Sequence, residues 1–109
     1  MSETTVLLCP GQGAQLVGMG QAWAAHSPAA AAIFSQADSV LGDSLGMPLS
    51  TLCFDGPAER LNQTDASQPA IYTCTVASHA GLLAEGWDST PTATAGLSLG
   101  EYTALHLAG

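Results

Sequence analysis

The stretch that most constrains this chain lies near its end, Gly96-Leu97-Ser98-Leu99-Gly100. It reads Gly-x-Ser-x-Gly, the pattern of a nucleophile elbow, in which a strand turns sharply into a helix. Ahead of it, Pro91-Thr92-Ala93-Thr94-Ala95 is short, small and β-tolerant, and suits a buried strand. Behind it, Glu101 to Ala108 is helix-forming, has no internal Gly or Pro, and places an acid in the first turn. Gly96 and Gly100 carry no Cβ, so strand and helix can approach closely around the turn. Such a turn strains the serine backbone and lifts the Ser98 hydroxyl clear of the sheet, at a helix N-terminus. The partial positive charge and free N–H groups there, that of Leu99 first, stabilise a developing oxyanion. The same five letters also fit a Gly-rich β–α turn with a capping serine, so the motif needs support from elsewhere in the chain.

The remaining composition narrows the function classes. A chain of 109 residues, 47% of them hydrophobic, is one small globular domain. No apolar run approaches the roughly 20 residues of a membrane span. Met1-Ser2-Glu3-Thr4-Thr5 is acidic and leads straight into a strand, unlike a signal or transit peptide, so the cytoplasm is the expected location. Cys9, Cys53 and Cys74 are odd in number, widely spaced and in apolar settings. They form no metal motif and are expected to be buried, reduced thiols. The net charge is −8, with Arg60 the sole Lys or Arg, which argues against a nucleic-acid partner.

In chain order, Thr5-Val6-Leu7-Leu8-Cys9 reads as a short strand of a parallel sheet, buried on both faces and ended by Pro10. The loop from Pro10 to Gly20 is rich in glycine, but Leu16 stands where a dinucleotide fingerprint needs its third Gly, so a Rossmann site is not expected. The loop still suits a close approach of backbone to a ligand, with Gln12 and Gln15 as neutral hydrogen-bonding groups. Met19 to Ala25 suits a short helix. Ser27-Pro28 reads as N-cap and first helical residue of a helix running to Leu41 and stopping at Gly42. Ala30, Ile33, Phe34, Ala37, Val40 and Leu41 form its expected buried face. Leu49 to Phe54 is a helical turn, and Pro57 to Leu61 a further short helix after the Asp55-Gly56-Pro57 turn. Thr64 or Asp65 can cap a long helix expected over 68–85, rich in small residues, and Trp87 to Pro91 is loop. The order is strand, several helices, strand, elbow, helix, an α/β pattern with parallel strands.

The two ends of the chain carry a resemblance. Leu8-Cys9-Pro10-Gly11-Gln12-Gly13-Ala14-Gln15 with Gly18-Met19-Gly20 resembles the opening of the malonyl-CoA:acyl-carrier-protein transacylases. Gly56-Pro57-Ala58-Glu59-Arg60-Leu61-Asn62-Gln63-Thr64 and Gln68-Pro69-Ala70 look like the next two landmarks of that family, and Gly96 to Tyr102 looks like its active-site motif. The landmarks come in the right order and span essentially the whole chain. The resemblance implies a parallel-sheet, α/β-hydrolase-like large subdomain, of which these residues are the N-terminal part. It implies transfer of a malonyl group from coenzyme A to Ser98, then to the phosphopantetheine thiol of acyl carrier protein, in fatty-acid biosynthesis. Coenzyme A enters as a thioester substrate and no cofactor is implied. Backbone N–H groups of Gln12 and Leu99 would form the oxyanion hole, and Gln68 would lie near the site. Acyl-enzyme formation splits one transfer into two easier steps.

The chain departs from the family pattern at two points. Leu97 stands where the family more often has His beside the nucleophile, which alters pocket polarity and acyl preference but leaves the base untouched. The family's catalytic His, its carboxylate-binding Arg and its ferredoxin-like small subdomain come later than Gly109. His26, His79 and His106 are expected to be packing or surface residues. Residues 1–109 therefore read as the N-terminal part of a transferase domain, cut just past the elbow helix and inactive alone. That reading also explains the charge, because coenzyme A phosphates, a malonyl carboxylate and an acidic carrier protein all want cations. Other readings are an acyltransferase domain of a polyketide synthase, a serine esterase of α/β-hydrolase type, and a truncated domain that only binds a partner.

Overall fold

A computed structural model describes residues 6–87, 93–96 and 99–108. The elements are β1 (Val6–Cys9), α1 (Gln21–His26), α2 (Pro28–Leu41), α3 (Leu49–Asp55), α4 (Ala58–Leu61), α5 (Thr64–Ala84), β2 (Ala93–Gly96) and α6 (Leu99–Ala108). Thr5 and Pro91-Thr92, expected as strand starts, lie outside the described residues, as do Leu97 and Ser98. The two strands pair in parallel, in the register Val6↔Ala93 to Cys9↔Gly96. Helices α1 to α5 form the crossover between them, so the expected α/β pattern with a small parallel sheet is present.

Local signals set most helix ends. The Ser27 hydroxyl accepts from the Ala30 N–H at 3.3 Å, with Pro28 opening α2 and Gly42 closing it. Helix α3 lacks a side-chain cap of its own. Asp38 of α2 supplies one, its Oδ1 accepting from the Ser50 N–H at 2.8 Å and its Oδ2 from the Ser50 hydroxyl at 2.5 Å. Helix α1 begins at Gln21 rather than Met19, because Gly20 takes a left-handed turn at φ +78°. No other residue fits there, since a Cβ would come within 2.6 Å of both Cys74 Sγ and the Phe34 ring.

The core lies among the helices. Phe34, Leu49, Leu52, Cys53 and Leu61 are buried between α2, α3, α4 and α5, with Phe34 and Phe54 edge to face at 4.9 Å. Each such aliphatic side chain contributes about 1.5–3 kcal/mol on burial. Small buried residues of α5, Ala70, Ala77 and Gly81, let its neighbours approach closely.

Three more expectations need correction. Helix α5 begins at Thr64, not Gln68, with Gln63 as its N-cap and Pro69 inside it. Packing carries the helix one turn further back than the expected 68–85. Ala66 and Ser67 are fully buried, and both of their N–H groups bond to the Gln63 carbonyl. Val40 is 78% exposed rather than part of the buried face of α2. Strand β1 is covered on one face only. Leu7 and Cys9 turn towards the helices, while Val6 and Leu8 are 50% and 80% exposed. The alternating direction of strand side chains sends every second residue to the sheet face that no described helix covers.

Candidate active site

The parallel register brings the C-terminal ends of both strands side by side, Cys9 opposite Gly96. Beyond Cys9 the chain enters the glycine loop; beyond Gly96 it reaches α6, which starts at Leu99. Loops leaving the carboxyl ends of adjacent parallel strands are where α/β folds bind ligands. The N-terminus of α6 is pressed against the end of β1. A Cβ on Gly100 would overlap the Cys9 carbonyl oxygen and stand 3.2 Å from the Pro10 oxygen. Gly100, Thr103, Ala104 and Leu107 form the inward face of α6, and the Thr94 hydroxyl of β2 donates to the Ala104 carbonyl at 2.7 Å.

The expected site residues fall as follows. Gly96 ends β2, Leu99 and Gly100 open α6, and Gln12 lies exposed on the loop after β1. Gly96 and Gly100 both adjoin Cys9 at the end of β1, and Gln12 lies three residues beyond it on the loop. Ser98 and Leu97 are outside the described residues. Gln68 is exposed on α5, one turn after Thr64 and on the same face. Thr64 in turn accepts a hydrogen bond at 3.0 Å from Gln12 Nε2, so the loop and this face of α5 adjoin.

The glutamine side chains do not stand free for a ligand, as the sequence suggested. Gln12 reaches Thr64, and Gln15 accepts from the Gly13 N–H at 2.8 Å while its Nε2 donates to Asn62 Oδ1 at 3.0 Å. Both are committed to fixing the loop. The backbone N–H of Gln12 has no acceptor among the described residues. Sequence reasoning missed Asn62 and Thr64 as anchors, because their partners are 47 and 52 residues away in the chain.

Beneath the loop is a cleft of about 320 Å³, walled by Pro10, Ala14, Met19 and Gly20 on one side and Ile71, Cys74, Thr75 and Ser78 of α5 on the other. Thr75 and Ser78 turn their hydroxyls back onto the Ile71 and Cys74 carbonyls, both at 2.8 Å, so its wall is largely apolar. The thiols are poor nucleophiles. Burial pushes the Cys74 thiol up to about 11 and the Cys53 thiol to about 12, and raises Cys9 as well. All three cysteines are free, Cys9 and Cys53 buried as expected and Cys74 partly so.

No histidine among the described residues hydrogen-bonds to the loop or to the start of α6. His106 Nδ1 pairs with the Tyr72 hydroxyl at 2.6 Å and holds α6 to α5. His79 stacks edge-on against Trp87, and His26 is exposed at the end of α1. The sole cation is already engaged. Arg60 makes a two-pronged contact to Asp65 at 2.7 and 2.9 Å, and also reaches Gln63 Oε1 and the Leu45 carbonyl. The Arg60 guanidinium holds the Asp65 carboxyl below the usual carboxylate range. No helix of the described residues is long and apolar enough to cross a membrane.

The acyl transferase domain family matches residues 6–109. The chain belongs to that family. A malonyl CoA-acyl carrier protein transacylase of Bacillus subtilis strain 168 is 44% identical over 102 residues, covering 94% of this chain and 30% of that protein. Among solved structures, the malonyl CoA-acyl carrier protein transacylase of Coxiella burnetii superposes with a TM-score of 0.88 at 39% identity, over 100% of this chain and 33% of that one. A malonyl-transacylase solved with the acyl carrier protein of a type II polyketide synthase gives a TM-score of 0.86 at 37% identity, over 98% and 33%. The chain thus spans about a third of the length of the transferases it matches.

Proposed function

We propose that these residues form the nucleophile-bearing part of a malonyl-CoA:acyl-carrier-protein transacylase of fatty-acid synthesis. The observation that carries this reading is the junction of the two strand ends, with Cys9 opposite Gly96 and Gly100 closed onto Cys9 and Pro10. It sets the loop holding Gln12 beside the start of the helix that follows the Gly-x-Ser-x-Gly turn. Ser98 attacks the thioester carbonyl of malonyl-CoA and gives its proton to a base. The N–H groups of Gln12 and Leu99 hold the oxyanion, coenzyme A leaves as the protonated thiol, and a malonyl ester remains on Ser98. The phosphopantetheine thiol of acyl carrier protein then attacks that ester and regenerates the serine. Gln68 borders the substrate, and Leu97 makes the nucleophile's surroundings more apolar. Gly96 and Gly100 allow the close approach, and no cofactor takes part.

The base and the carboxylate-binding cation come from sequence beyond these residues, since the single Arg is bound to Asp65 and His106 to Tyr72. These 109 residues are thus the N-terminal part of an α/β-hydrolase-like large subdomain, without the ferredoxin-like subdomain, and inactive by themselves. The exposed Val6 and Leu8 face is where the rest of that subdomain packs. The working location is the cytoplasm.

The test is intact-mass detection of a malonyl adduct on the complete protein after mixing with malonyl-CoA, and its transfer to holo acyl carrier protein. Ser98→Ala should abolish the adduct. A mutant that is still malonylated and turns over normally refutes the assignment. The solved complex with a polyketide carrier protein favours one further reading, supply of malonyl groups to polyketide synthesis, and faster transfer to such a carrier would support it. Hydrolysis of p-nitrophenyl esters outpacing transfer would point to an esterase instead.

A further inference from the structure

We infer that Asn62 and Thr64, at the corner between α4 and α5, are positioning residues that aim the Gln12 N–H into the oxyanion hole. The inference rests on the acyl-transfer reading above. The loop from Pro10 to Gly20 is anchored unevenly. Its second half is held by backbone: the Gly18 N–H donates to the Cys53 carbonyl at 2.8 Å, and Met19 and Gln21 N–H groups close turns onto Leu16 and Gly18. Its first half has one backbone bond among the described residues, Ala14 N–H to the Gly11 carbonyl at 3.2 Å. Gly13 in that half sits at φ +108°, with nothing within 4 Å of where a Cβ would be. Packing therefore does little to hold the loop at Gly13. What holds it is a pair of side-chain struts, Gln12 Nε2 to Thr64 Oγ1 and Gln15 Nε2 to Asn62 Oδ1, both at 3.0 Å.

The struts end on rigid ground. Leu61, Ala66 and Ser67 on either side of the corner are buried, and Arg60 ties it to Asp65, Gln63 and the Leu45 carbonyl. An oxyanion donor is effective only when it is already in place as charge develops, and a misplacement of about 1 Å costs up to about 100-fold. Struts from the corner supply that placement for a segment whose own backbone and packing do not.

The test compares Thr64→Val and Asn62→Leu with the conservative Thr64→Ser and Asn62→Asp in the complete protein. Single-turnover malonylation by malonyl-CoA and hydrogen exchange of the loop amides are measured for each. Thr64→Val and Asn62→Leu, each removing one partner atom, should slow malonylation about 10-fold, with KM within about 2-fold and the thermal midpoint near wild type. Amides of residues 11–15 should exchange faster while those of 18–21 do not. Thr64→Ser keeps the hydroxyl and Asn62→Asp the acceptor, so both should come within about 3-fold of wild type. Wild-type rates in both disruptive variants, or equal loss in the conservative ones, overturn the inference. If the wild-type protein forms no malonyl adduct, the acyl-transfer reading and the aiming role fail together. The exchange rates then still decide whether the struts hold the loop.

Discussion

Replacing Gly100 with Ala tests the junction on which the site depends. The added methyl would overlap the Cys9 carbonyl oxygen and stand 3.1 Å from the Cys9 carbonyl carbon and 3.2 Å from the Pro10 oxygen. All three are backbone atoms. Cys9 is paired to Gly96 and 7% exposed, and Pro10 is stiff, so neither can swing aside. Relief has to come from α6, which must back away by about 1 Å to restore ordinary contact. Overpacking of this kind costs about 1–3 kcal/mol. Ala in place of a helical Gly returns about 1 kcal/mol. The net loss of about 0–2 kcal/mol lowers the thermal midpoint by a few degrees at most. The rate should suffer far more. In the proposed mechanism, backing α6 away displaces the Leu99 N–H from the oxyanion, and a displacement of about 1 Å costs up to about 100-fold. Rapid-quench malonylation of the complete protein with intact-mass readout, beside scanning calorimetry of the same samples, separates the two effects. The expected result is a 10- to 100-fold slower acylation in a protein that remains folded at the assay temperature. Gly100→Ala acylating at the wild-type rate would show that the helix start does not position the oxyanion donor.

Other expectations concern packing and ionisation. In Gly81→Ala the new methyl would overlap the Trp23 ring, coming within 2.8 Å of its Cζ3. The ring must swing outward, so tryptophan emission should shift to the red and the midpoint fall by a few degrees. Unchanged emission would place Trp23 elsewhere. With its thiol near 11, Cys74 is thiolate at about one part in a thousand at pH 8, so alkylation of the native protein should run a few hundred-fold slower than for a free thiol. Labelling of Cys74 at the free-thiol rate would contradict its burial. Because the Cys53 and Cys74 values are raised above those of the unfolded chain, their contribution to stability is complete below about pH 8.5. It is lost as pH rises towards 11–12, and base titration of the unfolding midpoint reads this directly. The Asp65 carboxyl is shifted the other way by its pairing with Arg60, so that contribution is present above the ordinary carboxylate range and lost as pH falls below it. Asp65→Asn should therefore lower the midpoint more at neutral pH than at acid pH. An equal effect at both would mean that the ion pair contributes nothing.

Features set by a few adjacent residues were legible in the chain alone. Ser27-Pro28 and Gly42 bound α2 where a capping hydroxyl, a fixed φ and a glycine require it. The Gly-x-Ser-x-Gly stretch implied a strand before and a helix after, and β2 and α6 stand there. The order of the elements carried the parallel α/β pattern, and the odd number and wide spacing of the cysteines carried the free thiols. The order of short motifs carried the acyl transferase family. Tertiary structure decided what depends on partners distant in sequence. It started α5 at Thr64 rather than Gln68 because Ala66 and Ser67 are buried in the core. It covered β1 on one face, leaving Leu8 exposed, because strand alternation and helix placement act together. It also turned Gln12 and Gln15 from apparent ligand groups into struts on Thr64 and Asn62. Capping and chain stiffness act within a turn or two and are written in neighbouring letters. Which face is covered, and which side chain a glutamine meets some fifty residues away, follow only from how the elements pack.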